Sequence, residues 1–135
     1  MADVASHAHA IAGVQAMDDQ HGILVESLNT IGQQLTRGRS ATRLAEQIAR
    51  MAEFTDMHFG CEESLLRRHG YPRLAEHREA HQNLMGQIKL AMQRAEQGEY
   101  VELQRIVTSV RGQYVEHVEE LDRDYSLWLN ARGVH

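Results

Sequence analysis

An all-α fold, an antiparallel up-down-up-down four-helix bundle, is predicted by three features of the 135-residue sequence. Four long segments carry apolar residues three and four apart, the spacing of one face of an α-helix. The breaks between them are only a few residues long and are built around glycine or the single proline, so each helix must turn back on the one before. Aromatic residues make up only 5% of the chain, and stretches rich in Val, Ile or Thr are few, which removes the usual material of a sheet.

The first helix is expected to start at Asp18 or Asp19 as N-cap and to stop at Arg37-Gly38, where glycine allows a left-handed turn. Its stripe is Leu24, Leu28, Ile31 and Leu35. Ser40 caps a second helix that reaches about Arg68, with Leu44, Ile48, Met51, Thr55 and Leu65 inward, and His69-Gly70-Tyr71-Pro72 ends it. A third runs from about Arg73 to Gln97 over Leu74, Leu84, Ile88 and Met92. After Gly98 a fourth runs from about Tyr100 to near Asn130 over Leu103, Val107, Val110, Tyr114, Leu121 and Tyr125. The expected organisation is a single domain over 1–135, with residues 1–16 as an N-terminal arm and the bundle over about 17–130.

Composition narrows the function classes. Fourteen Lys and Arg against nineteen Asp and Glu give a net charge of −5 without any basic block, which argues against nucleic acid and against a membrane surface. The start, Met1 to Met17, lacks a basic segment followed by an apolar run, so a cytoplasmic location is expected. Cys61, the only cysteine, cannot form an intramolecular disulfide and is expected to pack as a small apolar group. Met51, Met57, Met85 and Met92 read as core filling. Nine histidines stand out.

Six polar residues interrupt the apolar stripes: His21 in the first helix, His58 and Glu62 in the second, His77 and His81 in the third, and His117 in the fourth. An ionisable group buried without a partner costs several kcal/mol, so bare burial of six is excluded. Residues four apart project side by side, and His58-x-x-x-Glu62 and His77-x-x-x-His81 therefore each offer two donor atoms to one place. Five histidines and a carboxylate overfill one tetrahedral ion, which implies two metals. Imidazole with carboxylate favours iron, with zinc the alternative. A further acid on the fourth helix has two candidates. Asp122, five residues after His117, reaches the seam only if the helix widens into a π-type turn between Val118 and Leu121; otherwise Glu120 takes the role. His7, His9, His69 and His135 sit in the arm or at helix or chain ends and carry no such implication. Glu63 is either an acceptor for a ligand histidine or a solvated helix residue.

The ordered set His21, His58-Phe59-x-x-Glu62-Glu63, Tyr71-Pro72, His77-x-x-x-His81 and His117-x-x-x-x-Asp122 resembles the bacterial hemerythrin family over about residues 11–129, including the lead-in Gly13-Val14, Asp18 and Gln20-His21. The resemblance implies that His77, His81 and His117 hold one iron, that His21 and His58 hold the other, and that Glu62 and Asp122 bridge them. With one bridging oxo or hydroxo group, these ligands fill all but one of the about twelve positions of two octahedral irons, leaving one open on the iron with two histidines. Reversible O2 binding there, for storage, delivery or sensing, is the implied function; the alternative is a di-iron oxidase or peroxidase in which the reduced oxygen reacts further. A sensing module would normally carry a fused output domain, for which this length leaves no room. Leu24, Phe59, Tyr114 and Val118 are the expected walls of the O2 pocket. There the chain departs from the family's usual pattern: it has no tryptophan in the N-terminal arm, and it reads Gln113-Tyr114 where relatives commonly have Trp-Leu.

Overall fold

The computed structural model describes residues 12–38 and 40–135; most of the expected arm, with His7 and His9, lies outside the described residues. Helix α1 spans Gln15–Thr36, α2 Ala41–Arg68, α3 Leu74–Glu96 and α4 Tyr100–His117; a π-helical turn, Val118–Asp122, then leads directly into α5, Arg123–Asn130. Helices α1 and α3 each pack against both α2 and α4, which closes a four-helix bundle. Among the described residues no helix is long and apolar enough to cross a membrane.

Local chemistry explains most of the boundaries. Ser40 caps α2 as expected, its Oγ accepting from the Arg43 amide at 3.4 Å. Gly70 and Gly98 have φ of +71° and +72°, where a Cβ would be strained. Beyond them, the Tyr71 amide donates to the Leu66 carbonyl and the Glu99 amide to the Arg94 carbonyl, both at 2.9 Å, which closes the last turns of α2 and α3. The start of α1 differs from expectation. It begins after Val14, and Asp18 reaches back from inside the helix to accept from the Ala12 and Gly13 amides at 2.7 and 3.1 Å. Its carboxylate thus satisfies the chain that leads into the helix instead of capping from outside, while Asp19 accepts from the Gln15 side chain at 2.8 Å.

The core has two apolar parts with a polar layer between them. The larger gathers residues such as Leu24, Leu28, Ile48, Phe59, Leu84, Ile88, Val110 and Tyr114; the smaller holds Val14, Met17, Leu66, Tyr71, Tyr125 and Leu129. Each fully buried Leu or Ile contributes roughly 2–3 kcal/mol relative to exposure. Two stripe assignments and two packing assignments change. Leu66, not Leu65, is fully covered, because the inward line of α2 runs 58, 62, 66 in steps of four. Leu121 is only partly covered, since the π turn brings Asp122 inward in its place. Cys61 and Met57 are exposed on the outer face of α2, with Sγ and Sδ 3.6 Å apart; each is one residue, about 100° of rotation, away from the inward line.

Candidate metal centre

Every helix of the bundle sends a side chain into the polar layer: His21 from α1, His58 and Glu62 from α2, His77 and His81 from α3, His117 from the end of α4 and Asp122 from the π turn. All seven are buried. The π turn is what recruits the last of them. Its extra residue returns position 122 to the face of position 117, so Asp122 is fully covered while Glu120 is exposed.

The two carboxylates divide their oxygens between two sets of imidazoles. Glu62 Oε2 lies 2.8 Å from His21 Nε2 and 3.2 Å from His58 Nε2, whereas Oε1 lies 3.4 Å from His77 Nε2 and 3.1 Å from His81 Nε2. Asp122 Oδ2 lies 3.0 Å from His21 Nε2, whereas Oδ1 lies 2.9 Å from His77 Nε2 and 3.1 Å from His117 Nε2. One donor atom each from Glu62, His77, His81, His117 and Asp122 falls within 4.8 Å of all the others, and the same holds for His21, His58 and Glu62. Glu62 belongs to both groups.

Of these contacts, His21 and His77 hydrogen-bond to Glu62 at 2.8 and 3.4 Å, but others are close without being aligned. His81 Nε2, His117 Nε2 and both Asp122 oxygens lack a hydrogen-bond partner although all are buried. Buried polar atoms are nearly always partnered, and ring nitrogens and carboxylate oxygens that converge without donor-acceptor alignment suit a cation placed among them. The donor set, imidazole and carboxylate, fits two transition-metal ions.

Electrostatics add to this. Burial, then the neighbouring Glu62 charge, push the Asp122 carboxyl up, but His117 and His21 outweigh both and hold it well below the usual carboxylate range. Burial likewise opposes ionisation of Glu62, yet His58, His21 and His77 hold its carboxyl well below normal. The imidazoles respond in the opposite sense. Burial lowers the His77 ring, but the neighbouring Asp122 and Glu62 carboxylates raise it to about 9; burial lowers His21, but Asp122, Asp18 and Glu62 raise it to about 12. The polar layer demands positive charge.

Partners behind the rings hold them in place. The far nitrogen Nδ1 of His81 lies 2.8 Å from Glu63, which also accepts from Arg78 Nε at 3.2 Å; Glu63 is therefore the acceptor and not merely a solvated residue. His58 Nδ1 lies 2.6 Å from Gln20 Oε1 of the side-chain amide, and His21 Nδ1 3.3 Å from Asp18. Such contacts orient a ligand ring and fix its tautomer. The Tyr125 hydroxyl donates to Glu62 Oε2 at 2.8 Å. Sequence reasoning placed Tyr125 in the apolar stripe and gave Gln20 no role. Tyr125 carries a usable signal, because it lies three residues after Asp122 and a buried phenol needs an acceptor. Gln20 meets His58 across two helices and leaves no sequence signal.

Beside the layer is a narrow, mainly apolar cavity of about 10 Å³, room for one small molecule. Leu24, Phe59 and Tyr114 line it together with residues including Leu84, Ile88 and Val110. Val118 is buried in the same apolar cluster but is not on the cavity wall. Phe59 stacks on His81 with centroids 3.8 Å apart, and the Tyr114 hydroxyl lies 3.4 Å from His58 Nε2. The cavity therefore touches the polar layer at these two rings.

Comparison with known proteins agrees with this geometry. Residues 12–128 match the model of the hemerythrin HHE cation-binding domain. The bacteriohemerythrin of Methylococcus capsulatus is 26% identical over 114 residues, covering 84% of this chain and 86% of the relative. That of Ralstonia nicotianae is 26% identical over 121 residues, 90% of this chain and 85% of the relative, and that of Stenotrophomonas maltophilia is 30% identical over 87 residues, 64% and 56%. With a four-helix bundle, a buried layer of histidines and carboxylates, and a family match over nearly its whole length, the chain belongs to the hemerythrin family of cation-binding domains.

Proposed function

We propose that this protein binds O2 reversibly at a di-iron centre, for storage, delivery or sensing. In this reading His77, His81 and His117 would hold one iron and His21 and His58 the other, with Glu62 and Asp122 shared between them. The observation that carries it is the division of oxygens: each carboxylate turns one oxygen to the three-histidine set and the other toward the set containing His21. When bound, the iron pair supplies two electrons to O2 and recovers them on its release.

The chain's own residues then control access and protons. Leu24, Phe59 and Leu84 keep water from the cavity, which favours a small apolar gas. Tyr114 brings a hydroxyl of the cavity wall to 3.4 Å from His58 on the two-histidine side, while the Thr55 hydroxyl is held by the Met51 carbonyl. Burial, followed by the Asp122 and Glu62 charges, pushes the Tyr114 phenol well above the ordinary value, so it stays protonated and can donate a hydrogen bond to oxygen in the cavity. The same proton favours a second reading, a di-iron oxidase or peroxidase, because protonation would release reduced oxygen as hydrogen peroxide.

Metal analysis followed by anaerobic reduction and exposure to air tests the proposal. An oxygen-dependent charge-transfer colour that fades under vacuum is expected. Rapid irreversible oxidation, with peroxide released, would replace the carrier reading by the enzyme one, and an iron-free protein with no oxygen response would defeat both.

A further inference from the structure

Three of the grooves on the bundle surface each share one wall residue with the apolar cavity. Met51 is common to the cavity and a groove of about 280 Å³ between α1 and α2, and Leu84 to the cavity and one of about 240 Å³ between α3 and α4. Phe59 is common to the cavity and a groove of about 540 Å³ between α2 and α3. The sides of this largest groove set it apart. Gly60 of α2 and Gly86 of α3 line it, and neither backbone nor packing requires them. Both lie inside helices, neither has a positive φ, and a Cβ at either would meet nothing within 4 Å. Glycine inside a helix is unfavourable relative to alanine, so local structure does not account for two of them facing one groove. By contrast, Ile23, Arg50 and Phe54 stand along the groove between α1 and α2, and Asn83, Glu116 and Glu120 along the one between α3 and α4.

We propose that the groove between α2 and α3 is the entrance to the cavity for a small apolar gas, and that the Phe59 ring is its gate. The proposal rests on the reading of the cavity as the place where O2 binds. Phe59 is only 3% exposed and lies flat on His81, with ring centroids 3.8 Å and planes 5° apart. A stack holds one face of a ring and leaves its sideways motion free. The groove beside it, bare at Gly60 and Gly86, has the room into which the ring turns, and the turn joins groove to cavity. Phe59 thereby determines specificity by size: a diatomic molecule passes while the ring is turned, and a bulky oxidisable molecule does not reach the polar layer.

A gate has a kinetic signature that a binding contact lacks. It acts on entry and exit alike, so both rates change by the same factor and affinity stays fixed, whereas a change in the contacts of a binding site falls mostly on the dissociation rate. Stopped-flow measurement of oxygen association and dissociation on the iron-loaded full-length protein reads this directly. Gly60→Leu and Gly86→Leu fill the groove without altering a residue of the cavity wall, and as replacements of exposed helix glycines they should keep or raise thermal stability. Together they should slow both rates by about tenfold at unchanged affinity. Phe59→Ala should speed both. Asn83→Leu and Arg50→Leu, in the other two grooves, should leave both as in the parent. Parent rates in the double glycine variant overturn the proposal, as does slowing by Asn83→Leu or Arg50→Leu in its place.

A second measurement does without iron. In zinc-loaded full-length protein, Trp128→Phe removes the only tryptophan of the 135 residues and Tyr114→Trp places an indole on the cavity wall. Quenching of its phosphorescence by dissolved oxygen gives the rate at which oxygen enters. Adding Gly60→Leu and Gly86→Leu should lower that rate by a factor similar to the one seen by stopped flow. The same two substitutions should leave quenching of Trp128 unchanged in a chain that keeps it, since Trp128 packs at the smaller apolar end. An undiminished quenching rate at the cavity contradicts the entrance. A parent that binds iron but shows no response to oxygen would defeat the oxygen-binding reading, and the quenching rates would still decide the route.

Discussion

The three-histidine and two-histidine sides of the polar layer use the same donor types in different surroundings. On the first side His77, His81 and His117 crowd together, with ring centroids 4.5 to 5.0 Å apart. Phe59 covers the face of His81, and Glu63, itself tied to Arg78, holds its far nitrogen. On the second side only His21 and His58 are present, oriented by Asp18 and Gln20, and the rest of the wall is the Tyr114 edge of the cavity. In the proposed di-iron reading, the shared carboxylates would make the two sides one centre, and the smaller number of imidazoles on the second side would leave space there for a small incoming molecule.

The largest effects should come from changes that distinguish what is shared from what is not. Glu62 serves both sides, so Glu62→Ala should lose both irons by elemental analysis, whereas His77→Ala, confined to the three-histidine side, should lose at least one. Retention of two irons by either variant would break the assignment. Removing iron by chelation should lower the unfolding free energy seen in thermal denaturation. Binding to the native state alone contributes about 4 kcal/mol per site when free metal is about a thousand times Kd.

The metal-free form should also acquire a pH dependence of its own. His77 and His21 are raised above the unfolded imidazole value of about 6.5, so their contribution to stability is complete below that value. It should be lost as pH rises through about 9 for His77 and, later, about 12 for His21. Denaturant titrations between pH 6 and 10, on the order of the range that brackets these values, should show stability falling toward the alkaline end. Iron-loaded protein should behave in the opposite way, losing metal in acid as protons compete for the ring nitrogens.

Smaller effects should separate the two sides through the residues behind the ligands. Glu63→Ala should weaken iron binding on the three-histidine side and Gln20→Ala on the other, each by roughly 10–100-fold, as measured by competition with a chelator. Equal loss from both sides in either variant would contradict the division. Smallest in energy, Tyr114→Phe removes one hydroxyl 3.4 Å from His58 and should change oxygen dissociation and autoxidation rates while keeping two irons. Unchanged rates would assign the ring to packing alone.

Much of this was legible because helical periodicity is strict. A histidine on an apolar stripe cannot point outward, so the polar layer follows from spacing, whereas spacing leaves Asp122 with a π turn and Glu120 without one as alternatives that only the family resemblance separates. The start of α1 was not legible, because Asp18 is an acceptor from either side of a helix start and only the path of Ala12 and Gly13 decides its direction. Leu65 and Leu66 compete for one inward position, and in α2 it is the alignment with Glu62 that selects Leu66. Contacts across helices, such as Gln20 with His58, depend on bundle geometry that no local pattern encodes. Cys61 was misread because its small size was weighed above its position, one residue off the inward line.

The proposed centre requires two cations to share Glu62 and Asp122. The direct measurement is an anaerobic iron titration of metal-free full-length protein, with bound iron counted by elemental analysis after removal of the excess. Two irons per chain are predicted, and a plateau at one iron per chain or below would contradict the shared centre.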